Sequence, residues 1–229
     1  MSKLVIYHGS DHIIHKPRFG FGKKYNDYGL GFYCTCHPDM AREWAVGDNR
    51  DGYINSYLLD IDKMLVMNLN NPEYTILNWL AILIDNRSFE LSTPLAKAGK
   101  AYLEEYFLPD IKNTDVIRGY RADDSYFSFA QDFLNGTISV RQLENAMKLG
   151  KLGEQIVLKS EKAFEQIEEL SSEKVSAVEW YPKRARRDRL ARRHYSEMDK
   201  NEWIRGDIYM THILDEGIKP DDIRLHTRL

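Results

Sequence analysis

Cysteine is scarce in this sequence: only Cys34 and Cys36 occur among 229 residues. One residue separates them, which is too close for an ordinary disulfide bridge, and no second pair exists to complete a metal site. This scarcity excludes a disulfide-stabilised scaffold and is typical of proteins that work in a reducing cytoplasm.

Long apolar runs and an excess of one charge are also missing. No stretch approaches the roughly 20 apolar residues of a membrane span, and the apolar start of the chain is too short for a signal peptide. Lys and Arg number 32 against 35 Asp and Glu, which gives a net charge of −3. Any contact with nucleic acid must therefore come from a local patch. We expect a soluble, cytoplasmic protein.

The composition is that of a globular protein, with 43% hydrophobic and 29% charged residues. The length allows one large domain, or a domain with an appendage, and a sizeable core. Strands are predicted at residues 3–8, 53–60, 64–69, 115–119, 154–159 and 175–180, and helices at 38–46, 72–86, 94–107 and 139–149. Because strands and helices do not strictly alternate, the pattern favours an α+β fold over a doubly wound parallel sheet.

Residues 183–194 form a strongly basic run that is predicted to be helical. Three interpretations stay open: a solvated helix, a contact for phosphates or an acidic partner, and an intramolecular cover docked on acidic residues. No aromatic residue is interleaved within the run to stack on bases, which weakens the single-stranded version of a nucleic-acid contact.

Three histidines near the start, His8, His12 and His15, have the spacing HxxxHxxH. A helix would bring two of them to one face for zinc, but His8 ends a strand-like run, so the three would not share a face. We expect no metal. The pair Asp123-Asp124 could bind a divalent ion, although acidic residues at the start of a helix are also stabilised for structural reasons.

Four short motifs occur in a fixed order along the chain. The first predicted strand ends in Tyr-His-Gly-Ser at residues 7–10, and Gly-x-Gly-Phe-Tyr-x-Thr follows at 29–35. A helix with Ala41, Trp44 and Ala45 comes next, and a late strand begins Glu-Gln-Ile-Val-Leu at 154–158. A lone Gly-x-Gly is weak evidence for a nucleotide site. In this order, however, the motifs resemble the His-Tyr-Glu branch of the ADP-ribosyltransferase superfamily.

More narrowly, the chain resembles an uncharacterised bacterial domain family of the same clan, over about residues 3–165. An Asp-Val-Ile-x-Gly…Ala-Asp-Asp segment at residues 115–124 adds to this resemblance. It implies a split antiparallel β-sheet core with flanking helices over residues 1–170. Residues 171–229 would form a C-terminal extension, made of a strand, the basic helix and a tail, that packs on the core.

The resemblance also implies a site for NAD. His8 would hydrogen-bond a ribose hydroxyl, and Ser10 would support the same ribose. Gly9 would present backbone groups to the nicotinamide carboxamide, where a Cβ would block approach. Tyr33 would stack on the nicotinamide ring, with a core aromatic as the alternative. A second aromatic contact is expected from Tyr25 or Tyr28.

Thr35 and Arg121 complete the cofactor-binding residues that the resemblance implies, and NAD would serve as substrate. The reaction would be loss of nicotinamide through an oxocarbenium-like state, followed by attack of an acceptor. A carboxylate near the ribose normally stabilises that state. The family alignment places Gln155 at the catalytic position, whereas the His-Tyr-Glu pattern shifted by one residue selects Glu154.

Only one of these two neighbours can face the pocket, because adjacent side chains on a strand point to opposite faces. A glutamine binds a hydroxyl but brings no charge, so another acid is needed, and Asp123 is the candidate, with Asp124 behind it. The expected function is mono-ADP-ribosylation of a protein or nucleic acid by a toxin or phage-defence effector with a neutralising partner. Arginine is a disfavoured acceptor. The alternatives are an NAD-binding pseudoenzyme, an interaction module and an NAD glycohydrolase.

Overall fold

The computed structural model describes residues 3–122, 126–149 and 153–226. The strands in this part of the chain are β1 (Lys3–Ser10), β2 (Phe32–Cys34), β3 (Gly52–Asp60), β4 (Val66–Asn68), β5 (Val116–Tyr120), β6 (Glu154–Leu158) and β7 (Ile167–Val175). The helices are α1 (Pro38–Ala45), α2 (Ile76–Asn86), α3 (Pro94–Tyr106), α4 (Tyr126–Leu134), α5 (Val140–Lys148), α6 (Glu161–Glu165), α7 (Ala177–Glu197), α8 (Met210–Glu216) and α9 (Ile223–His226).

The described strands form two sheets, with the orders β1-β3-β7 and β2-β6-β5-β4. Reciprocal backbone hydrogen bonds between Tyr7 and Thr35, at 2.8 and 3.0 Å, join β1 to the end of β2 in a single antiparallel bridge. The two sheets therefore meet at this bridge and separate on either side of it. The α+β class predicted from the sequence is confirmed.

One strand pair departs from the antiparallel core that was predicted. β4 pairs with β5 in the parallel direction, whereas the other four pairs are antiparallel. A parallel pair needs a long crossover, and α2 and α3 lie between β4 and β5 in the chain.

Apolar side chains fill three regions around the sheets. The largest cluster packs α2, α3, α4, α5 and α8 over one face of the second sheet. A second cluster joins the two sheets and contains Ile6, Phe32, Tyr57 and Leu158. A third lies beneath α1, on the first sheet. The two sheets thus share a core close to the bridge.

Local sequence explains where several helices begin. Ser139 accepts a hydrogen bond from the Gln142 N–H at 3.2 Å, and the Gln142 side chain accepts from the Ser139 N–H at 2.8 Å, which completes a capping box. Ser139 is therefore the N-cap residue of α5, at the start of the helix predicted over residues 139–149. Pro38 stands in the first turn of α1, where its missing N–H costs no hydrogen bond.

One prediction about the C-terminal third is wrong. Residues 175–180 were predicted as a strand, but β7 ends at Val175 and α7 begins at Ala177. A six-residue apolar window does not distinguish a strand from the first turns of a helix. The boundary predicted between residues 170 and 171 falls inside β7, which pairs with β3 along its length.

Candidate functional site

His8 lies on β1 beside β2. Its Nδ1–H donates to the carbonyl oxygen of Tyr33 at 2.7 Å, and its ring lies 4.4 Å from the ring of Phe32. Burial lowers the pKa of His8 below its usual value of 6.5, against the smaller opposing effect of the hydrogen bond to Tyr33. The imidazole is therefore neutral at neutral pH, and its Nε2 carries a lone pair that can accept a hydrogen bond.

Gly9 is covered by helix α1 on the side where a Cβ would stand. A Cβ built there would lie 2.0 Å from the carbonyl oxygen of Ala41 and 2.6 Å from the nitrogen of Ala45. Helix packing thus requires the glycine, and a ligand cannot approach from that side. That Gly9 also presents its backbone groups to a nicotinamide carboxamide stays a prediction.

Ser10 belongs to a network centred on Asn55. The Ser10 hydroxyl donates to the carbonyl of His12 at 2.6 Å and accepts from the Asn55 amide at 2.8 Å. Asn55 is fully buried, and its Oδ1 accepts from the Ile14 N–H at 2.9 Å. It fixes the chain that leaves β1. Sequence reasoning missed Asn55, and a lone asparagine inside an apolar strand was its only signal.

Tyr33 and Tyr28 are linked to each other. The Tyr33 hydroxyl donates to the Gly29 carbonyl at 2.5 Å and accepts from the Tyr28 N–H at 3.1 Å. Tyr28 is fully buried, and its hydroxyl donates to the Tyr120 carbonyl at 2.6 Å. The stacking contact expected of Tyr28 would need an accessible ring face, which a core residue lacks. Tyr25 remains 75% exposed.

Thr35 is buried and contacts the start of α1. Its backbone forms the bridge to Tyr7, and its hydroxyl oxygen accepts from the N–H of His37 at 3.2 Å. His37 is the N-cap residue of α1. Thr35 therefore positions the helix that covers Gly9.

Glu154 begins β6 and is held by two polar side chains that sequence reasoning missed. Arg118 on β5 donates to its Oε2 at 2.7 and 3.1 Å, and the Asn70 amide donates to its Oε1 at 2.7 Å. The ion pair raises the pKa of Arg118. The carboxylate is thus fixed in position, with 18% of its side chain exposed.

Gln155 points away from Glu154 and is buried. Its Oε1 has no hydrogen-bond partner among the described residues, and the same holds for the indole Nε1 of Trp44. An unsatisfied buried polar atom costs about 1–3 kcal/mol, so such atoms are rare away from functional sites. The guanidinium of Arg121, just after β5, lies 4.2 Å from the centre of the Trp44 ring.

The strand register divides the predicted site residues between two faces of the second sheet. Phe32 and Cys34 pair with Leu158 and Ile156, so Glu154 shares their face, and the His8 ring stacks on Phe32. Tyr33 pairs with Val157, which places Gln155 on the Tyr33 face. His8 thus shares a face with Glu154, and Tyr33 shares one with Gln155.

A cavity of about 490 Å³ lies at the start of α1, lined by His37, Pro38, Asp39, Met40 and Gly153. Gly153 has a positive φ of +69° and immediately precedes Glu154. The cavity therefore opens beside the strand end that carries the two candidate catalytic residues, and its volume falls in the range of ligand sites.

Asp123 and Asp124 lie outside the described residues. Within residues 3–122, 126–149 and 153–226, no group of three His, Cys, Asp or Glu side chains is placed to hold a metal ion. In the same part of the chain, no helix combines the length and the apolar character needed to cross a membrane.

The basic run predicted at residues 183–194 lies in α7, and several of its cations have partners within the chain. Arg187 forms an ion pair with the buried Glu43 of α1 at 2.6 Å and also contacts the sulfur of Met40. Arg184 donates to the Val46 carbonyl at 3.0 Å. Three pairs form along the helix itself: Lys183–Glu179, Arg192–Asp188 and Arg193–Glu197. These contacts support the intramolecular interpretation for Arg184 and Arg187, and a phosphate contact by the rest stays a prediction.

These features define an α+β protein in which the described strands form two sheets that meet at the Tyr7–Thr35 bridge, with polar residues around that junction. A family model described as a protein of unknown function, DUF3990, matches residues 4–168, and the chain belongs to this family. No curated protein and no solved structure matched the chain.

Proposed function

We propose that the protein is an NAD-dependent mono-ADP-ribosyltransferase with an ADP-ribosyltransferase-like split sheet. One observation carries the proposal: the motifs that resemble this superfamily, far apart in sequence, lie on three neighbouring strands, β1, β2 and β6. His8 donates a hydrogen bond to the Tyr33 carbonyl, and Tyr33 pairs with Val157 on β6, the strand that begins with Glu154.

Glu154 is the carboxylate that we assign to the reaction, in place of Gln155. It shares the face of His8, and Arg118 and Asn70 hold it in one orientation. A fixed negative charge stabilises a developing positive charge without reorganisation. Gln155 lies on the opposite face, where it cannot act on the ribose that His8 would bind. The Tyr33 ring lies on the Gln155 face, so the stacking on nicotinamide predicted for it is not part of this assignment.

The chemistry needs few protein groups. The bond between the ribose C1′ and the nicotinamide nitrogen breaks, and its electron pair leaves with neutral nicotinamide. The remaining oxocarbenium ion carries one positive charge beside Glu154. An acceptor nucleophile then forms the new bond to C1′ and loses its proton to solvent. With water as the acceptor, the same steps give NAD hydrolysis.

A binding module without catalysis is the second candidate, and one observation favours it. The Glu154 carboxylate already accepts three hydrogen bonds from Arg118 and Asn70, which partly neutralise the charge that the reaction needs. In that case the chain would bind NAD, or a protein partner such as an inhibitor, without releasing nicotinamide.

Nicotinamide release from labelled NAD, measured with and without cell lysate, tests the proposal. We expect Glu154→Gln to lower the rate by about 10²–10³ because one preorganised electrostatic group is lost. Glu104→Gln is the matched control, since Glu104 forms a comparable ion pair with Lys100 on α3. Treating the labelled lysate with protease or nuclease identifies the class of acceptor.

Two outcomes would reject parts of the proposal. If the wild-type protein releases no nicotinamide in either condition, the enzyme is ruled out and the binding module stands. If Gln155→Ala abolishes release while Glu154→Gln retains it, the assignment of the carboxylate is wrong.

A further inference from the structure

The connection between β1 and β2, residues 11–31, is held at both ends by several hydrogen bonds and has fewer contacts between them. At its start the Ile14 N–H donates to Asn55, and the Tyr57 hydroxyl donates to the Ile14 carbonyl. At its end the Lys159 ammonium donates to the carbonyls of Tyr28 and Leu30. The intervening residues 15–25, named here the aromatic loop, are exposed except for the buried Pro17. His15 pairs with Glu169 at 2.9 Å, and the Tyr25 carbonyl accepts from Arg87 at 3.0 Å.

The aromatic loop carries four positive charges and contains no acidic residue. Its cations are Lys16, Arg18, Lys23 and Lys24, and no acidic residue occurs between Asp11 and Asp27. None of these four cations forms an ion pair within the described part of the chain. In a protein of net charge −3, this is a local basic patch. Such a patch attracts polyanions by releasing their counterions.

Three large rings occur in the same segment and are exposed to solvent: Phe19 and Phe21 lie between Arg18 and Lys23, and Tyr25 follows Lys24. Phe21 and Tyr25 are 68% and 75% exposed, and Phe19 is 48% exposed. Phe19 meets the ring of Phe164 edge-on at 5.7 Å, and the Arg18 guanidinium lies 5.9 Å from the Phe21 ring. Exposed rings this close together in sequence mark a binding surface rather than an ordinary protein exterior.

We propose that the aromatic loop binds single-stranded nucleic acid, and, resting on the proposed function, that it presents this strand as the acceptor. Cations and exposed rings interspersed in one short segment suit a single strand, because cations contact the phosphates and rings stack on the bases. The loop continues directly into β2, which carries Tyr33, so a strand held on the loop lies next to the proposed site.

α7 fits a single-stranded partner less well than the aromatic loop does, and a membrane fits the aromatic loop less well than a single strand does. α7 has more cations, but several are paired within the protein and none alternates with aromatic rings in the run 183–194. A membrane-binding segment separates an apolar face from a charged one. In the aromatic loop, cationic and aromatic side chains are instead interspersed along one short segment.

Fluorescence anisotropy with a labelled mixed-sequence 12-nucleotide strand tests the proposal on the full chain. Separate arms use RNA, DNA and the corresponding duplexes, and vesicles containing phosphatidylserine test the membrane alternative. We expect the wild-type protein to bind one or both single strands more tightly than duplex, with affinity that falls as salt rises. The RNA and DNA arms show which strand is preferred.

Two double variants and two controls locate the surface. Phe21→Ala/Tyr25→Ala should weaken single-strand binding by about tenfold or more, because stacking is lost. Lys23→Glu/Lys24→Glu should weaken it and flatten its salt dependence. The controls are Val178→Ala/Ile223→Ala, which removes exposed apolar side chains elsewhere, and Arg186→Glu/Arg189→Glu on α7. The first control should bind as the wild type does, and a loss in the second that matches the loss in the loop variants would assign the contact to α7 instead.

Several results would overturn the proposal: no single-strand binding at micromolar protein in 50 mM salt, equal losses in the control variants, or losses confined to the vesicle arm. Nicotinamide release without any acceptor, measured on the same proteins, separates the two proposals. If nicotinamide is released but no single strand binds, the nucleic-acid role of the aromatic loop is rejected and the proposed enzyme activity is kept. If a single strand binds but no nicotinamide is released, the binding surface is kept. The enzyme activity, and with it the role of the strand as acceptor, is rejected.

Discussion

At the scale of single residues, Gly9 links the site to the architecture. The carbonyl oxygen of Ala41 and the nitrogen of Ala45 occupy the space into which any side chain at position 9 would extend. Both are backbone atoms of α1, so no rotamer change relieves the contact. The same helix begins beside Thr35, at the bridge between the sheets. The position of α1 therefore depends on the absence of one methyl group.

Gly9→Ala should destabilise the protein by at least about 3 kcal/mol, since overpacking against fixed atoms forces the helix to move. Urea unfolding followed by circular dichroism measures the change in the free energy of unfolding. Gly47→Ala is the matched control, because its Cβ would meet only flexible Arg50 side-chain atoms at 3.4 Å or more. Equal stability of the two variants would contradict this account of Gly9.

Sequence reasoning found the neighbourhood of the candidate site but not its orientation. The motifs located His8, Tyr33 and the pair at 154–155, because each is a short and contiguous pattern. The register of β2 against β6 decides which side chains share a face, and that register is set between segments more than a hundred residues apart. Arg118 and Asn70 were missed because single polar residues carry no motif.

At the scale of elements, α7 and α1 are joined by a buried ion pair. The Glu43 side chain is 6% exposed and the Arg187 side chain 23%. Burial raises the pKa of Glu43, and the Arg187 guanidinium opposes that rise. An ion pair in such a place contributes little net stability, but removing one partner leaves a buried charge unpaired.

Arg187→Ala should therefore cost about 3–5 kcal/mol of unfolding free energy. Arg186→Ala, the neighbouring exposed cation, should stay within about 0.5 kcal/mol of the wild type. The double variant Glu43→Gln/Arg187→Ala should be more stable than Arg187→Ala alone, which a double-mutant cycle would measure. If Arg187→Ala costs no more than Arg186→Ala, the ion pair does not hold α7 in place.

Elements with local signals were predicted well from the sequence, and elements that depend on distant partners were not. Pro38 and Ser139 favour helix starts through their own chemistry, and α1 and α5 begin at or next to the predicted starts at residues 38 and 139. β7 was missed because its pattern is largely polar and exposed. Its strand conformation comes from pairing with β3, which no local window contains.

At the scale of the whole molecule, the C-terminal segment completes the main core. Tyr195, Ile208, Met210, Ile213, Ile218 and Leu225 all belong to the large cluster over the second sheet. Arg141 on α5 also binds Asp207 through two hydrogen bonds, at 2.8 and 2.9 Å. Residues 171–229 therefore supply part of the core, in addition to packing on it.

A chain ending at residue 170 should not fold as an independent domain. It lacks the second half of β7 and the apolar side chains that the C-terminal segment gives to the core. We expect no cooperative thermal transition and rapid digestion by trypsin. A chain ending at Asp222, which loses only α9 and the residues after it, should still unfold cooperatively. A cooperative transition in the 1–170 chain would restore the predicted boundary.

The pairing of β3 with β7 has a consequence during synthesis. β3 is complete at Asp60, but the strand that covers its outer edge ends at Val175. At about 5–20 residues per second, a ribosome takes on the order of ten seconds to supply that strand. Through this interval the nascent chain carries an open sheet edge, which is a template for aggregation. The edge of β3 opposite β1 is therefore covered only late in synthesis.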